Sequence, residues 1–264
     1  MSDKAIMYDM SLCTACRGCQ VSCKQWNDKP AVQTTNRGSY ENPKELSSNT
    51  WLKMRFIELE RDSRLDWRFL RRSCMHCTDA GCMEVCPVGA IFRTEEGFVN
   101  IDNEWCIGCG NCTQACPFHV PHLDHDGGVA SKCSACSASG HNRLSQGLTP
   151  ACVKSCPTGA LSYDDRDSLL EKGRKQVQKL KDSGHANAML YGENELSGLH
   201  VLYVLDDKPE VYGLPESPQM PTKDMIGKWL AGLATAGVLS TLPLMWVFKR
   251  REENMSKGKI EEGV

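Results

Sequence analysis

Sixteen cysteines in 264 residues are the side chains of this sequence best placed to do chemistry, and they fall into four groups of four with none left over. Group one, Cys13, Cys16, Cys19 and Cys23, has the spacing CxxCxxCxxxC. Group three, Cys106, Cys109, Cys112 and Cys116, repeats it and adds Pro117. Group two, Cys74, Cys77, Cys82 and Cys86, widens the middle gap to four residues and ends before Pro87. Group four, Cys133, Cys136, Cys152 and Cys156, carries a fifteen-residue insertion in its middle and ends before Pro157.

An even count would suit a disulfide scaffold, and CxxC pairs would suit structural zinc. The spacing argues against both. Cysteines so close together on a tight loop rarely reach disulfide geometry. Zinc needs two CxxC pairs and has no use for a third cysteine followed by a fourth before proline. Three thiolates at CxxCxxC spacing can instead occupy three corners of an iron–sulfur cube, with backbone N–H groups turned toward its sulfides. The fourth is expected to begin a helix, face away and ligate the neighbouring cluster. Sixteen cysteines with no group depleted imply four [4Fe–4S] clusters and no three-iron centre.

Because the fourth cysteine crosses over, the groups must work in pairs. Groups two and three make one two-cluster module, and groups one and four pair across the chain. The assignment is Cys13, Cys16 and Cys19 with Cys156; Cys23 with Cys133, Cys136 and Cys152; Cys74, Cys77 and Cys82 with Cys116; and Cys86 with Cys106, Cys109 and Cys112. The cysteines leave nothing for His76, His119, His122 or His125 to ligate, so these are read as surface groups or neighbours of the thiolates. Lys24, Arg72 and Lys132, each beside a cysteine, either bias reduction potentials or are ordinary surface cations.

The elements that position these groups are only partly marked. Only six each of Phe, Tyr and Trp imply a modest apolar core, helped by metal. With 31 basic and 33 acidic residues, no nucleic-acid reading follows. CysProValGlyAlaIle (86–91) and CysProThrGlyAlaLeu (156–161) each read as a short helix, a glycine turn and a strand. Gly97–Asp102 reads as a second strand of a hairpin, and 27–66 as an insertion with a polar loop (36–49) and a strand from Trp51 to Leu59. Asp164 or Asp165 could cap a helix running to about Ser183 with Gly184 as its stop, and Leu169, Leu170, Val177 and Leu180 share a face. His200–Leu205 reads as a strand, and the prolines of 206–222 as an extended linker.

Trp229 to Phe248 is twenty residues without a charge. At about 1.5 Å per residue that covers a hydrocarbon core of about 30 Å, with Trp229 and Trp246 near the ends as interfacial aromatics. Gly232 and Ala236 suit close contact with another membrane helix, and Pro243 can kink the span without preventing it. Lys249, Arg250 and Arg251 follow at once, against Lys223 and Lys228 before it. Positive-inside bias places the C-terminus in the cytoplasm and the cluster domain on the outer face of the cytoplasmic membrane. The opposite orientation, a tail anchor with the clusters toward the cytoplasm, is the alternative. The start of the chain has no apolar run, so an outward domain is expected to be carried out by a partner with a twin-arginine signal.

These motifs resemble the four-cluster ferredoxin-like subunits of molybdenum or tungsten oxidoreductases, and most of all the beta subunits of membrane-bound formate dehydrogenases. The resemblance is carried by Cys13–Asn27 (CTACRGCQVSCKQWN), with Lys24 in place of a proline, by Cys74–Thr78 (CMHCT), and by Gly198–Leu205 (GLHVLYVL) before Tyr212–Pro215. It implies an α+β fold of two pseudo-symmetric bacterial-ferredoxin-like modules with insertions, plus one C-terminal transmembrane helix. The parts are 1–26 with 126–163, 67–125, the insertion 27–66, the segment 164–222, the anchor 225–248 and the tail 249–264. It also implies a molybdopterin catalytic subunit, a cytochrome b membrane subunit with haem and quinone, and no catalytic residue in this chain. The same relay could serve a sulfur-compound or sulfoxide reductase or a hydrogenase; a non-conducting structural or assembly module is the alternative of another class. Serine in place of any one of the sixteen cysteines is expected to remove or convert one cluster, read as a changed iron content and spectrum.

Overall fold

The computed structural model describes residues 3–61, 64–124, 128–223 and 225–261. His125 lies outside the described residues, as do residues 126–127 and 262–264 of the expected segments, and the side chain of Lys228 is likewise outside them.

Alternation of side chains along two strands organises the first of two compact units, Met1–Met220. Strand β1 (Lys4–Asp9) and the late strand Val201–Leu205 pair in parallel, with Ile6 opposite Val201 and Tyr8 opposite Tyr203. Because successive side chains point to opposite faces, Ala5, Met7, Leu202 and Val204 line one face and pack under a helix through Leu169, Leu170, Val177 and Leu180. Ile6, Tyr8, Val201, Tyr203 and Leu205 line the other and share a core with Cys19, Cys23, Cys133 and Cys152. The sheet is the wall against which the cysteine region is built.

In chain order, helix α1 (Gly18–Trp26) follows β1, and strands β2 (Lys53–Arg61) and β3 (Arg64–Arg72) form a long antiparallel hairpin. The hairpin straddles residue 66, where the sequence reading closes its insertion. Tyr40 from the polar loop packs on its Phe56 and Trp67 rings at 5.8 and 4.8 Å. Helix α2 (Gly81–Glu84) lies before Cys86 rather than in the 86–91 stretch where it was expected, and leads to the expected hairpin, β4 (Ile91–Arg93) and β5 (Val99–Ile101). Helix α3 (Asn111–Ala115), the short pair β6 (His122–Leu123) and β7 (Ala130–Ser131), and helix α4 (Ala151–Lys154) come next. Strand β8 (Leu161–Asp165), helix α5 (Arg166–Asp182), β9 (Met189–Tyr191) and β10, the Val201–Leu205 strand, complete a four-stranded sheet in the order β8-β1-β10-β9. Helix α1 packs on α4, and α2 on α3.

Helix α5 has the expected extent and buried face, although neither Asp164 nor Asp165 caps its first turn with a side chain. The stretch after β10 is less of a free linker than its prolines suggest. Pro209–Tyr212 forms a 3-10 turn, Tyr212 is fully buried with its hydroxyl on Asp206, and Arg68 Nε lies 2.8 Å from the same carboxylate.

The second unit, Pro221–Val264, contains α6 (Met225–Glu261). Its stretch Trp229–Glu253 has a mean hydropathy of 1.6, is exposed throughout, and is long and apolar enough to cross a membrane. Thr235, Ser240 and Thr241 donate their hydroxyls to the carbonyls of Ala231, Ala236 and Gly237 at 2.8–2.9 Å, which satisfies them without water. Pro243 lies inside the helix.

Helix α5 approaches the sheet closely at Gly173, where a Cβ would stand 2.7 Å from Leu190 Cδ1 and 3.4 Å from Met7 Sδ. Gly173→Val is expected to destabilise the first unit by about 1–3 kcal/mol through overpacking, measured by anaerobic chemical denaturation followed by circular dichroism.

Candidate iron–sulfur site

A left-handed residue precedes the second cysteine of every group: Ala15 (φ 53°), His76 (φ 49°), Gly108 (φ 66°) and Ala135 (φ 52°). Only glycine adopts this conformation freely; for other residues it costs about 1–2 kcal/mol. It curls the loop so that the amides of Ala15, His76 and Ala135 each donate to the sulfur of the first cysteine, Cys13, Cys74 and Cys133, at 3.4 Å. In group three the amide of Ala130 reaches Cys106 Sγ at 3.3 Å, and the close approach of Gly128 O leaves no room for a Cβ at Gly108. Cys136 Sγ accepts from the Ala151 amide at 3.4 Å.

The short helices begin one cysteine earlier than the spacing suggested. Cys19, Cys82, Cys112 and Cys152, the third of each group, lie in the first turn or so of α1, α2, α3 and α4. The fourth cysteine follows the helix in groups two, three and four, where the proline after it ends the run; Cys23, followed by Lys24, stays inside the longer α1. The glycine turns at Gly89 and Gly159 then lead into β4 and β8.

The thiols gather in sets drawn from distant parts of the chain. Cys13, Cys16, Cys19 and Cys156 line one cavity with Tyr8 and Met54. The thiols whose charges act on Cys23 are those of Cys133, Cys152 and Cys136. Those acting on Cys77 are Cys74, Cys116 and Cys82. Cys112 lies in range of Cys106 and Cys109, and Cys86 packs against the same apolar cluster. Neighbouring sets also lie within range of one another's charge: Cys19 of Cys152, Cys133 of Cys74, and Cys112 of Cys82.

Burial is the leading cause of every resolved thiol shift, and it acts upward. It pushes Cys19, Cys82 and Cys136 up to about 12, and Cys112 and Cys116 up to about 11. All sixteen cysteines are free of disulfides. Among the described residues no three Cys, His, Asp or Glu side chains converge on a single ion. Open sets of thiols with amides turned toward them fit a cubane cluster.

The polar residues near the sets sort clearly. His76 is fully buried, with burial holding its pKa well below the usual range and Nδ1 accepting from the Val99 amide at 3.1 Å. His119 is exposed, and His122 bonds the Val120 carbonyl at 2.8 Å. Lys24 donates to the carbonyls of Pro30 and Asn49 at 2.6 and 2.8 Å, and Arg72 to that of Phe118 at 3.3 Å. Lys132 is buried, donates to the carbonyls of Val99 and Cys133, and lowers the thiols of Cys82 and Cys116 against the larger effect of burial. Sequence reasoning missed Arg71, a fully buried guanidinium whose Nη2 lies 3.8 Å from Cys152 Sγ. The run Arg71-Arg72-Ser73-Cys74 reads as a charged strand end; only its place on a strand with an inward face could have exposed it.

A family model described as a 4Fe-4S dicluster domain matches residues 65–166, which takes in groups two, three and four. The nitrate-inducible formate dehydrogenase iron-sulfur subunit of Escherichia coli is 40% identical over 245 residues, covering 91% of this chain and 82% of that protein. The formate dehydrogenase iron-sulfur subunit of Haemophilus influenzae is 39% identical, covering 89% of this chain and 77% of its own. The thiosulfate reductase electron transfer subunit of Salmonella typhi is 36% identical over 72% of this chain and 92% of that protein. With the cysteine loops intact and this likeness running over nine-tenths of its length, the chain belongs to the family of formate dehydrogenase iron–sulfur subunits.

Proposed function

We propose that this protein is the electron-transfer subunit of a formate dehydrogenase complex and that it relays electrons through four [4Fe–4S] clusters held by its sixteen cysteines. The observation that supports the reading is that thiols from distant loops come together, as Cys156 does with Cys13, Cys16 and Cys19 around one cavity, and the assignment extends that three-plus-one pattern to all four sets. Cys156 completes the set of Cys13, Cys16 and Cys19; Cys23 that of Cys133, Cys136 and Cys152; Cys116 that of Cys74, Cys77 and Cys82; Cys86 that of Cys106, Cys109 and Cys112. Packing of α1 on α4 and of α2 on α3 supports two related modules, 1–26 with 126–163 and 67–125.

The proximity of thiols in neighbouring sets supports an order for the relay. The set closed by Cys156 adjoins that closed by Cys23 through Cys19 and Cys152, the next is reached through Cys133 and Cys74, and the last through Cys82 and Cys112. The exposed cysteines, Cys16 and Cys109, belong to the two ends of that series. Partners therefore exchange electrons at the ends, while the middle is kept from water. Each loaded cradle supplies a one-electron carrier; the chain's own part is to fix spacing, exclude solvent and set potentials. The partners are a molybdopterin catalytic subunit with molybdenum or tungsten, where formate is oxidised, and a membrane cytochrome b with haem and quinone.

Helix α6 anchors the subunit in the cytoplasmic membrane as a single span. Lys249, Arg250 and Arg251 favour a cytoplasmic C-terminus and an outward cluster domain. The likeness to a thiosulfate reductase subunit keeps a second reading, the same relay beside another catalytic partner.

Anaerobic isolation of the complex tests the reading: formate should reduce the clusters and a downstream dye, and the chain should carry iron and inorganic sulfide in equal amounts. Zinc or cystine in their place would sink it; cluster reduction by another substrate but never by formate would select the second reading. A chain ending at Met220 is expected to leave the membrane fraction with its clusters loaded, measured by fractionation and iron analysis.

A further inference from the structure

Strand β3 ends in two adjacent arginines with opposite surroundings. Arg72 is half-buried and meets Glu45 and the Phe118 carbonyl, whereas Arg71 is entirely buried. Arg71 Nη1 donates to Ser73 Oγ at 2.5 Å, Nη2 points at Cys152 Sγ at 3.8 Å, and Nε has no partner. The Tyr203 hydroxyl on β10 donates to the Arg71 carbonyl at 2.6 Å and so pins the strand from the sheet side.

Burial opposes the charge of Arg71, and the groups that face it are the thiol of Cys152, the Tyr203 phenol and the thiols of Cys133 and Cys19, which balance a cation only once deprotonated; no carboxylate stands among these principal groups. Cys23 feels the same cation. A guanidinium does not shed its proton in a protein, and in a low-dielectric interior its field is strong. Its counter-charge must come from the two sets of thiolates on either side. Cys19 belongs to the first of these, and Cys23, Cys133 and Cys152 to the second. Cys82 and Cys116, further along the series, are under Lys132 instead.

Resting on the four-cluster reading above, we propose that Arg71 is a fixed cation shared by the cradles closed by Cys156 and by Cys23, raising the reduction potentials of both clusters together. A cluster becomes more negative when it takes up an electron. A positive charge that is already in place favours that form without having to move.

The test is an anaerobic redox titration of the intact complex followed by electron paramagnetic resonance, in the wild type, Arg71→Gln, Arg71→Met and Arg71→Lys, with iron and sulfide measured first. The neutral variants should lower two midpoint potentials by at least a tenfold shift in the reduced-to-oxidised ratio, about 59 mV for a one-electron couple. Those two signals should be the ones altered by Cys19→Ser and Cys23→Ser, and Arg71→Lys should recover most of the shift. Unmoved potentials, or an equal shift in every cluster, would overturn the proposal. Loss of these two clusters from both neutral variants while Arg71→Lys stays loaded would assign the charge to assembly and overturn the tuning role as well. A wild-type protein lacking inorganic sulfide would instead bring down the four-cluster reading itself.

Discussion

A thiol taken out of water, away from cations, keeps its proton, and the rest of this fold follows from that fact. Burial raises the thiols of Cys19, Cys23, Cys77, Cys82, Cys116, Cys133 and Cys136. Before loading, the interior can therefore close around neutral sulfurs and behave as a modest apolar core, with cysteines packed among Ile6, Tyr8, Leu70 and Val201. Metal must displace those protons to bind. Iron–sulfur assembly is thus the step at which the interior acquires negative charge, and Arg71 and Lys132 are already buried there to meet it.

The sheet makes such an interior possible with few aromatic residues. Its strand alternation gives one face to α5 and the other to the cysteines, so a single layer of backbone serves two cores. The hairpin β2–β3 closes the cysteine region from another side through Leu52, Met54 and Leu70, and delivers Arg71 from its last turn of strand. The contacts of Tyr8 and Tyr203 with the carbonyls of Phe69 and Arg71, at 2.8 and 2.6 Å, tie that hairpin to the sheet.

What the sequence made legible was whatever a single local rule governs. The hairpin at Gly97–Asp102, helix α5, the Val201–Leu205 strand and the apolar C-terminal helix were all readable from period, turn residues or hydropathy. Cysteine spacing showed the kind of chemistry, but misplaced the helix starts, because the third cysteine already sits beyond the left-handed residues that begin the turn. Those residues were invisible at Ala15, His76 and Ala135, where no glycine marks the strain; only Gly108 carried a signal. Strand β1 escaped notice because Lys4–Asp9 makes sense only beside partners some two hundred residues away, at Val201–Val204. Arg71 was hidden for the same reason, since its burial is decided by β10 and by groups one and four rather than by its neighbours in sequence.

The strained residue before the second cysteine of groups one, two and four has one more consequence. A loop that has accepted an unfavourable backbone angle, and is held there by its own amide–sulfur contacts, has few other shapes to relax into. Around a bound cluster such a wall has few alternative shapes to offer. The tension built into Ala15, His76 and Ala135 thus trades backbone comfort for constancy of form in three of the four cysteine loops.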